Sequence, residues 1–278
     1  MNVLLTGAGG MLARAFLNKT PRHWNLRALD RATLDVTDPQ TVEAAMRQWK
    51  PALVLNCAAL TRVDDCESQR AQAEAVNGLG AGHIAQACSA IGAQMVHFST
   101  DYIFDGAGHL PYAEDDPVCP INVYGASKWD GECRVRAALA AHLIVRTQWL
   151  YGRGGSHFVK TILALAEKQE TIRVVNDQIG APTWTEDLSE ATLALIEAGA
   201  TGTYHLVNVG ACSWYDFARK IIQEAGLSTQ VIPCTTSEFP RPARRPAHAV
   251  LSTEKAKRVL GRALPPWDMA LRRFIRSV

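Results

Sequence analysis

A doubly wound α/β protein, with one parallel sheet and a smaller carboxyl-terminal lobe for substrate, is the fold class that this sequence predicts. Three observations carry it. Short apolar runs alternate with helix-patterned stretches across the first 150 residues. The first of these runs, NVLLTG, breaks into a glycine-rich turn that opens a helix. Past residue 150 the alternation loosens into shorter mixed segments.

Each element has a local reason. NVLLTG is an apolar run stopped by glycine, residues 11–19 follow as a helix, and NLRALD (25–30) is the second strand. Asp38 and Pro39 supply a cap and a first-turn residue for the helix DPQTVEAAMRQWK. ALVLNCAA (52–59) is apolar apart from Asn56 and reads as a strand covered on both faces. A periodic stretch over 67–91 is helical, AQMVHFST (93–100) is a strand, 124–141 a helix and HLIVRTQWL (142–150) a strand. Helices at 156–169, 185–198, 213–226 and 252–261 then surround strands at 171–175, 203–207 and 229–232. The proline- and arginine-rich stretch 233–248 is irregular. Residues 1–150 are therefore expected to form the dinucleotide-binding domain, with part of 171–198 returning to it. Residues 151–278 mostly form the second lobe.

Composition narrows the function classes. Among 278 residues, 29 basic and 27 acidic side chains leave +2, too little for a chain that coats nucleic acid or an anionic membrane. No apolar run approaches a membrane span, and MNVLLTGAGG does not read as a signal peptide. Seven scattered cysteines without a C-x-x-C pair point to free thiols in a reducing cytoplasm, not to zinc or disulfides.

The glycine turn carries the first chemistry. Gly7, Gly10 and Ala13 form G-x-x-G-x-x-A between strand and helix, with Met11 and Leu12 opening that helix. Small residues let the backbone approach a pyrophosphate on the helix amino terminus, where free N–H groups and the dipole favour negative charge. This is the Rossmann-type arrangement. Asp30, twenty residues past Gly10, suits the ribose hydroxyls of NAD, whereas the adjacent Arg31 suits the 2′-phosphate of NADP. The two point in opposite directions, so NADH and NADPH both stay open. Asp35 and Val36, and Ala58, Ala59 and Leu60, follow the second and third strands, where an open α/β sheet binds its ligand.

Tyr124 and Lys128 form Y-x-x-x-K, about one helical turn apart and so on one face. A phenol with a pKa of about 10 is a poor acid–base group at neutral pH; bringing it to about 7 takes about 4 kcal/mol of phenolate stabilisation, which a nearby cation and a cofactor's charge could supply. Thr100, at the end of HFST and 24 residues before the tyrosine, can hydrogen-bond a substrate carbonyl oxygen.

The glycine motif with Thr100, Tyr124 and Lys128 resembles the extended short-chain dehydrogenase/reductases. The strings STDYIFDG (99–106), PINVYGASKWDGE (120–132), RTQWLYG (146–152) and NDQIGAPT (176–183), with TGTYHLVN and SWYDFA, look like the dTDP-4-dehydrorhamnose reductase family over essentially the whole chain. The resemblance implies reduction of the C4 ketone of a dTDP-4-dehydro-6-deoxysugar by NADPH or NADH. Tyr124 would be the proton donor, Lys128 its activator and the holder of the nicotinamide ribose, and Thr100 the residue that tunes both tyrosine and substrate. It also implies that Thr100 and Asp101 contact the sugar nucleotide and that Trp149 packs against it. Related dehydratases carry Thr-Asp-Glu where this chain has Thr100-Asp101-Tyr102, which argues for simple reduction. Arg245, with Arg244 beside it, is a candidate for the substrate diphosphate. Some relatives bridge a dimer through magnesium held by glutamates. Glu186 is present here, but Ala15 has no carboxylate and no longer carboxyl terminus follows, so no metal site is expected and a monomer or another homodimer is. Two other readings stay open: a reductase of a different 4-keto-6-deoxysugar, and a non-catalytic regulatory subunit of the same fold.

Overall fold

The computed structural model describes residues 1–277. The chain runs β1 (Asn2–Thr6), α1 (Met11–Lys19), β2 (Asn25–Leu29), α2 (Pro39–Trp49), β3 (Leu53–Asn56), α3 (Val63–Ser68), α4 (Arg70–Ala73), a π-helical turn (Glu74–Leu79), α5 (Gly80–Ile91), β4 (Gln94–Thr100), α6 (Val123–Ala138) and β5 (His142–Thr147). It continues through β6 (Leu150–Tyr151), α7 (Phe158–Ala166), β7 (Thr171–Val175), β8 (Ile179–Gly180), β9 (Thr183–Trp184), α8 (Thr185–Glu197), β10 (Gly202–His205), β11 (Cys212–Ser213), α9 (Trp214–Glu224), β12 (Gln230–Cys234), α10 (Glu254–Leu260) and α11 (Trp267–Ile275).

Six parallel strands in the order β10-β5-β4-β3-β1-β2 make the central sheet. The chain turns one way from β1 to β2 and the other way from β3 onward. The reversal leaves a crevice at the carboxyl ends of β1 and β3, where such sheets take ligands. Alternation along the strands fills both faces. Val3, Leu5, Leu55 and Val96 pack with Phe16 of α1 and Leu188 of α8, while Leu4, Val54 and Met95 pack with Val42 of α2 and Ile84 of α5. Asp38 caps α2 as expected, its Oδ1 accepting from Gln40 N at 2.8 Å.

The expected alternation of elements is present, with three informative differences. The stretch 67–91 is not one helix but α4, the π turn and α5, preceded by α3. Residues 267–275 form a helix that the sequence reading passed over. The sheet also takes its outer strand, β10, from residues 202–205, and α8 packs on α1. The chain thus returns to the sheet after residue 184, whereas β7 within 171–198 stays with the smaller lobe, paired to β12. That lobe has its own core of Tyr151, Ile162, Phe217, Ile221, Leu271 and Phe274. Among the described residues no helix is long and apolar enough to cross a membrane.

One buried ion pair fixes α6 to the sheet. Glu132 and Arg146 are 0% and 1% exposed, and Arg146 Nη2 and Nε reach Glu132 at 2.9 and 3.0 Å. Burial alone would push the Glu132 carboxyl upward, but hydrogen bonds and charge from Arg146 outweigh it and hold the pKa below the ordinary value. Removing one partner leaves the other charge buried alone, which costs about 3–5 kcal/mol. Glu132→Ala should therefore lower the urea midpoint sharply, and adding Arg146→Met should recover most of the loss; equal stability of Glu132→Ala and wild type would contradict this.

Candidate active site

The glycine turn has the form that a dinucleotide needs. Gly7 sits at φ 70°, in the left-handed region, and a Cβ there would lie 2.8 Å from the backbone of Cys57 and Ala58. Gly10 caps α1 without any side-chain hydrogen bond, and no acidic residue lies in the first turn. The leading N–H groups of α1, at Met11 and Leu12, thus face an unfilled, positively polarised end. Open space at Gly9, where an added Cβ meets nothing within 4 Å, leaves room for a phosphate above it. The residues present fit the pyrophosphate of a dinucleotide.

At the end of β2, Asp30 is exposed, with Oδ1 accepting from Thr33 N at 3.0 Å and Thr33 Oγ1 at 2.8 Å. Those bonds hold its carboxyl below the usual range. Arg31 is exposed 3.9 Å from Asp35. Asp35 itself accepts from Thr37, and Val36 is buried against Gly80, its carbonyl taken by His83 Nδ1 at 3.1 Å. Ala58, Ala59 and Leu60 line the crevice half-buried. Leu60 is clamped through both its N–H and its carbonyl by Asn77, at 2.8 and 3.1 Å.

The reactive side chains converge at the adjoining edge. Tyr124 and Lys128 lie one turn apart on α6, whose amino terminus is capped by Asn122 through Gly125 N at 2.7 Å. A Cβ on Gly125 would collide with the Tyr102 carbonyl oxygen, so glycine permits the close seating of this helix end. Thr100, at the end of β4, lies beside the Tyr124 phenol and donates its one hydroxyl hydrogen to Asp101 Oδ1 at 3.0 Å. Tyr102 stands edge-on to Tyr124, centroids 5.5 Å apart. Burial raises the Tyr124 pKa, and Thr100 pulls it part of the way back. Lys128 is turned toward His97, Glu132 and Cys57 instead of the phenol; burial brings its pKa down to about 8.

Asp101 is 2% exposed, and burial raises its pKa to about 7 against the bonds from Thr100 and Gln148 Nε2. Trp149 is the residue after that glutamine. Its φ of 48° is left-handed, a costly conformation for a bulky side chain, and its ring stacks on Trp214 at 3.6 Å. Arg245 is not free: its guanidinium meets Asp64 at 2.6 and 2.9 Å and lies beside Tyr102. Arg244 contributes its carbonyl, which accepts from Asn122 Nδ2 at 2.8 Å. Glu186 lies apart from this cluster, near Lys19 at 3.9 Å, and Ala15 is buried. Among the described residues no three His, Cys, Asp or Glu gather as a metal site.

Sequence reasoning missed Asn77, His97 and Gln148. Asn77 lies in the π turn, a feature often found at functional sites, and also donates to Ser127 Oγ at 3.0 Å. An Asn inside an apolar helical stretch was the available signal.

A parallel sheet reversing beside a glycine turn, with Tyr-x-x-x-Lys on the facing helix, defines a short-chain dehydrogenase/reductase of the extended type. Within that class the chain belongs to the dTDP-4-dehydrorhamnose reductase family, whose model, described as the RmlD substrate binding domain, matches residues 1–278. It is 43% identical over 276 residues to a dTDP-4-dehydrorhamnose reductase of Streptomyces griseus, covering 96% of this chain and 91% of that one. It is 42% identical over 276 residues to the spore coat polysaccharide biosynthesis protein SpsK of Bacillus subtilis, covering 99% and 97%. The solved dTDP-4-dehydrorhamnose reductase of Bacillus anthracis, in complex with NADP, superposes with a TM-score of 0.97 at 38% identity, covering 100% and 99%.

The raised pKa of Asp101 has a stability consequence. Between its unfolded value near 4 and about 7 the folded chain holds one more proton than the unfolded chain, so this group's contribution falls as pH rises through that window. Asp101→Asn should remove that slope. The stability difference between variant and wild type should move in the variant's favour by a few kcal/mol from pH 4 to pH 7.5, read from urea midpoints. A difference that stays constant with pH would show that folding does not raise the Asp101 pKa.

Proposed function

We propose that this chain is an NAD(P)H-dependent dTDP-4-dehydrorhamnose reductase, converting the C4 ketone of dTDP-4-dehydro-6-deoxy-L-mannose to the alcohol of dTDP-L-rhamnose. The observation that supports it most directly is the placement of Tyr124 beside Thr100 at the carboxyl edge of the sheet, one turn from a buried Lys128. Residues 1–150 with α8 and β10 form the cofactor lobe; most of the remainder forms the sugar-nucleotide lobe.

A reduced nicotinamide supplies the hydride when bound. Gly7, Gly10, Met11 and Leu12 hold the pyrophosphate, Asp30 or Arg31 the adenosine ribose, and Asp35, Val36, Ala58, Ala59 and Leu60 the adjoining half of the cofactor. Tyr124 donates its proton to the developing alkoxide, and Thr100 keeps donor and substrate oxygen aligned. Lys128 orients the nicotinamide ribose. Thr100 and Asp101 receive the sugar, Trp149 packs on it, and Arg245, already oriented by Asp64, faces the diphosphate. Tyr102, in place of a dehydratase glutamate, leaves no second carboxylate there for an elimination. A second reading, in which another nucleotide-linked 4-keto-6-deoxysugar is reduced by the same residues, draws on 39% identity over 276 residues to a probable dTDP-4,6-dihydroxy-2-methyloxan-3-one 4-ketoreductase of Streptomyces antibioticus.

The deciding experiment supplies dTDP-4-dehydrorhamnose, made in situ from dTDP-glucose, and follows absorbance of NADPH and of NADH. Oxidation of at least one is expected; none with either cofactor rejects the reading. Tyr124→Phe should lower turnover by at least about a hundredfold while leaving NADPH affinity within a few-fold, because it removes the proton and little else. Full activity in that variant would overturn the assignment of the proton donor.

A further inference from the structure

A continuous polar row lies beneath the site, and the proposed reaction uses only its last member. Strand register aligns Thr6 of β1 with Asn56 of β3, and Asn56 with His97 of β4. The three side chains therefore leave adjacent strands on one face. Thr6 Oγ1 donates to Asn56 Oδ1 at 2.7 Å, Asn56 Nδ2 lies 3.1 Å from His97 Nδ1, and His97 Nε2 lies 3.5 Å from Lys128 Nζ. All four residues are at most 3% exposed. Two residues earlier on the same strands and face stand Leu4, Val54 and Met95, fully apolar. The fold thus needs no polarity at these strand positions, and burying it is costly unless every group is paired. The row becomes polar only where it reaches the lysine.

We propose that His97 is the positioning residue for Lys128, held in place by Asn56 and Thr6 and fixing the lysine Nζ at the crevice. The inference rests on the reductase reading above. The far end of the row touches the cofactor crevice, since Ala58 N donates to both Thr6 Oγ1 and Asn56 Oδ1 at 3.3 Å. The row therefore ties the backbone beside the glycine turn to the lysine across three strands. His97 is a neutral ring, since burial, Lys128 and Arg136 all oppose its protonation. With Nδ1 accepting from Asn56 Nδ2, its one proton sits on Nε2 and points to Lys128 Nζ, which receives it as the uncharged amine that burial favours. The charged and titratable groups around Lys128 are Glu132, one turn on, and Cys57 at the end of β3. Of these neighbours, His97 alone lies within 3.5 Å of the lysine nitrogen.

Two substitutions separate positioning from packing. His97→Gln puts an amide where Nε2 stood and keeps the reach to Lys128. His97→Asn puts one where Nδ1 stood and keeps only the Asn56 contact. For both, kcat, KM for the sugar nucleotide, NADPH affinity and the thermal midpoint are measured. His97→Asn should lower kcat by about tenfold or more and weaken NADPH by about threefold, with KM for the sugar within about twofold. His97→Gln should recover most of both losses at a similar thermal midpoint. Equal kcat and NADPH affinity in the two variants would overturn the proposal, as would losses that merely follow the thermal midpoint. If the asparagine protein does not fold, Thr6→Val tests the row from its far end. A drop of about two- to threefold in kcat is expected there, and no change would overturn the coupling. The NADPH titration keeps this outcome distinct from failure of the reductase reading, which is decided by wild-type turnover alone.

Discussion

The placement of α6 on the sheet governs the rest of the molecule, and it is set by charge. Glu132, two turns past Tyr124, is held by Arg146 of β5 inside the protein, and Arg136 adds a second cation to the same carboxylate at 2.6 Å. Arg146 also donates to the Glu114 carbonyl at 2.9 Å and lies 3.3 Å from His205 of β10. One guanidinium thus joins the reactive helix, two strands and the loop before the helix. A buried pair of this kind contributes little net stability compared with apolar packing, but its directional bonds allow few alternative seatings.

Precision at the site follows from that seating. Tyr124 meets Thr100 because the amino end of α6 lies against the turn after β4, closely enough that only glycine fits at 125. The same helix is fastened one turn further on by Asn77, which reaches Ser127 while clamping Leu60 at the crevice. Polar groups hold the reacting residues in register, and the apolar layers on either side of the sheet supply the bulk stability. Removal of the phenol hydroxyl is therefore expected to cost chemistry and not fold, whereas loss of Glu132 costs fold.

Much of this was legible in the sequence, for identifiable reasons. Strands such as Leu53–Asn56 announce themselves by continuous apolar character, and Asp38-Pro39 marks a helix start that the structure reproduces. Gly7, Gly10, Tyr124 and Lys128 were readable because their spacing carries the geometry. The break of 67–91 into separate pieces was not, since a π turn has no compositional mark beyond one misplaced-looking Asn. The helix over 267–275 also carried signals, Asp268 in its first turn and arginines in its last. His97 and Gln148 read as ordinary strand residues because burial and partners are properties of three dimensions. The Asp64 partner of Arg245 lies 181 residues away, beyond any local pattern.

The late return of the chain to form β10 also limits how such a protein can be rebuilt. β10 covers β5, whose residues from Leu143 to Thr147 are all buried. A chain cut after residue 150 would present that strand as a bare apolar edge, ready to pair with another molecule. The two lobes are consequently interleaved and not strung in tandem. Exchanging the carboxyl-terminal portion of the chain would therefore disturb the sheet as well as the smaller lobe.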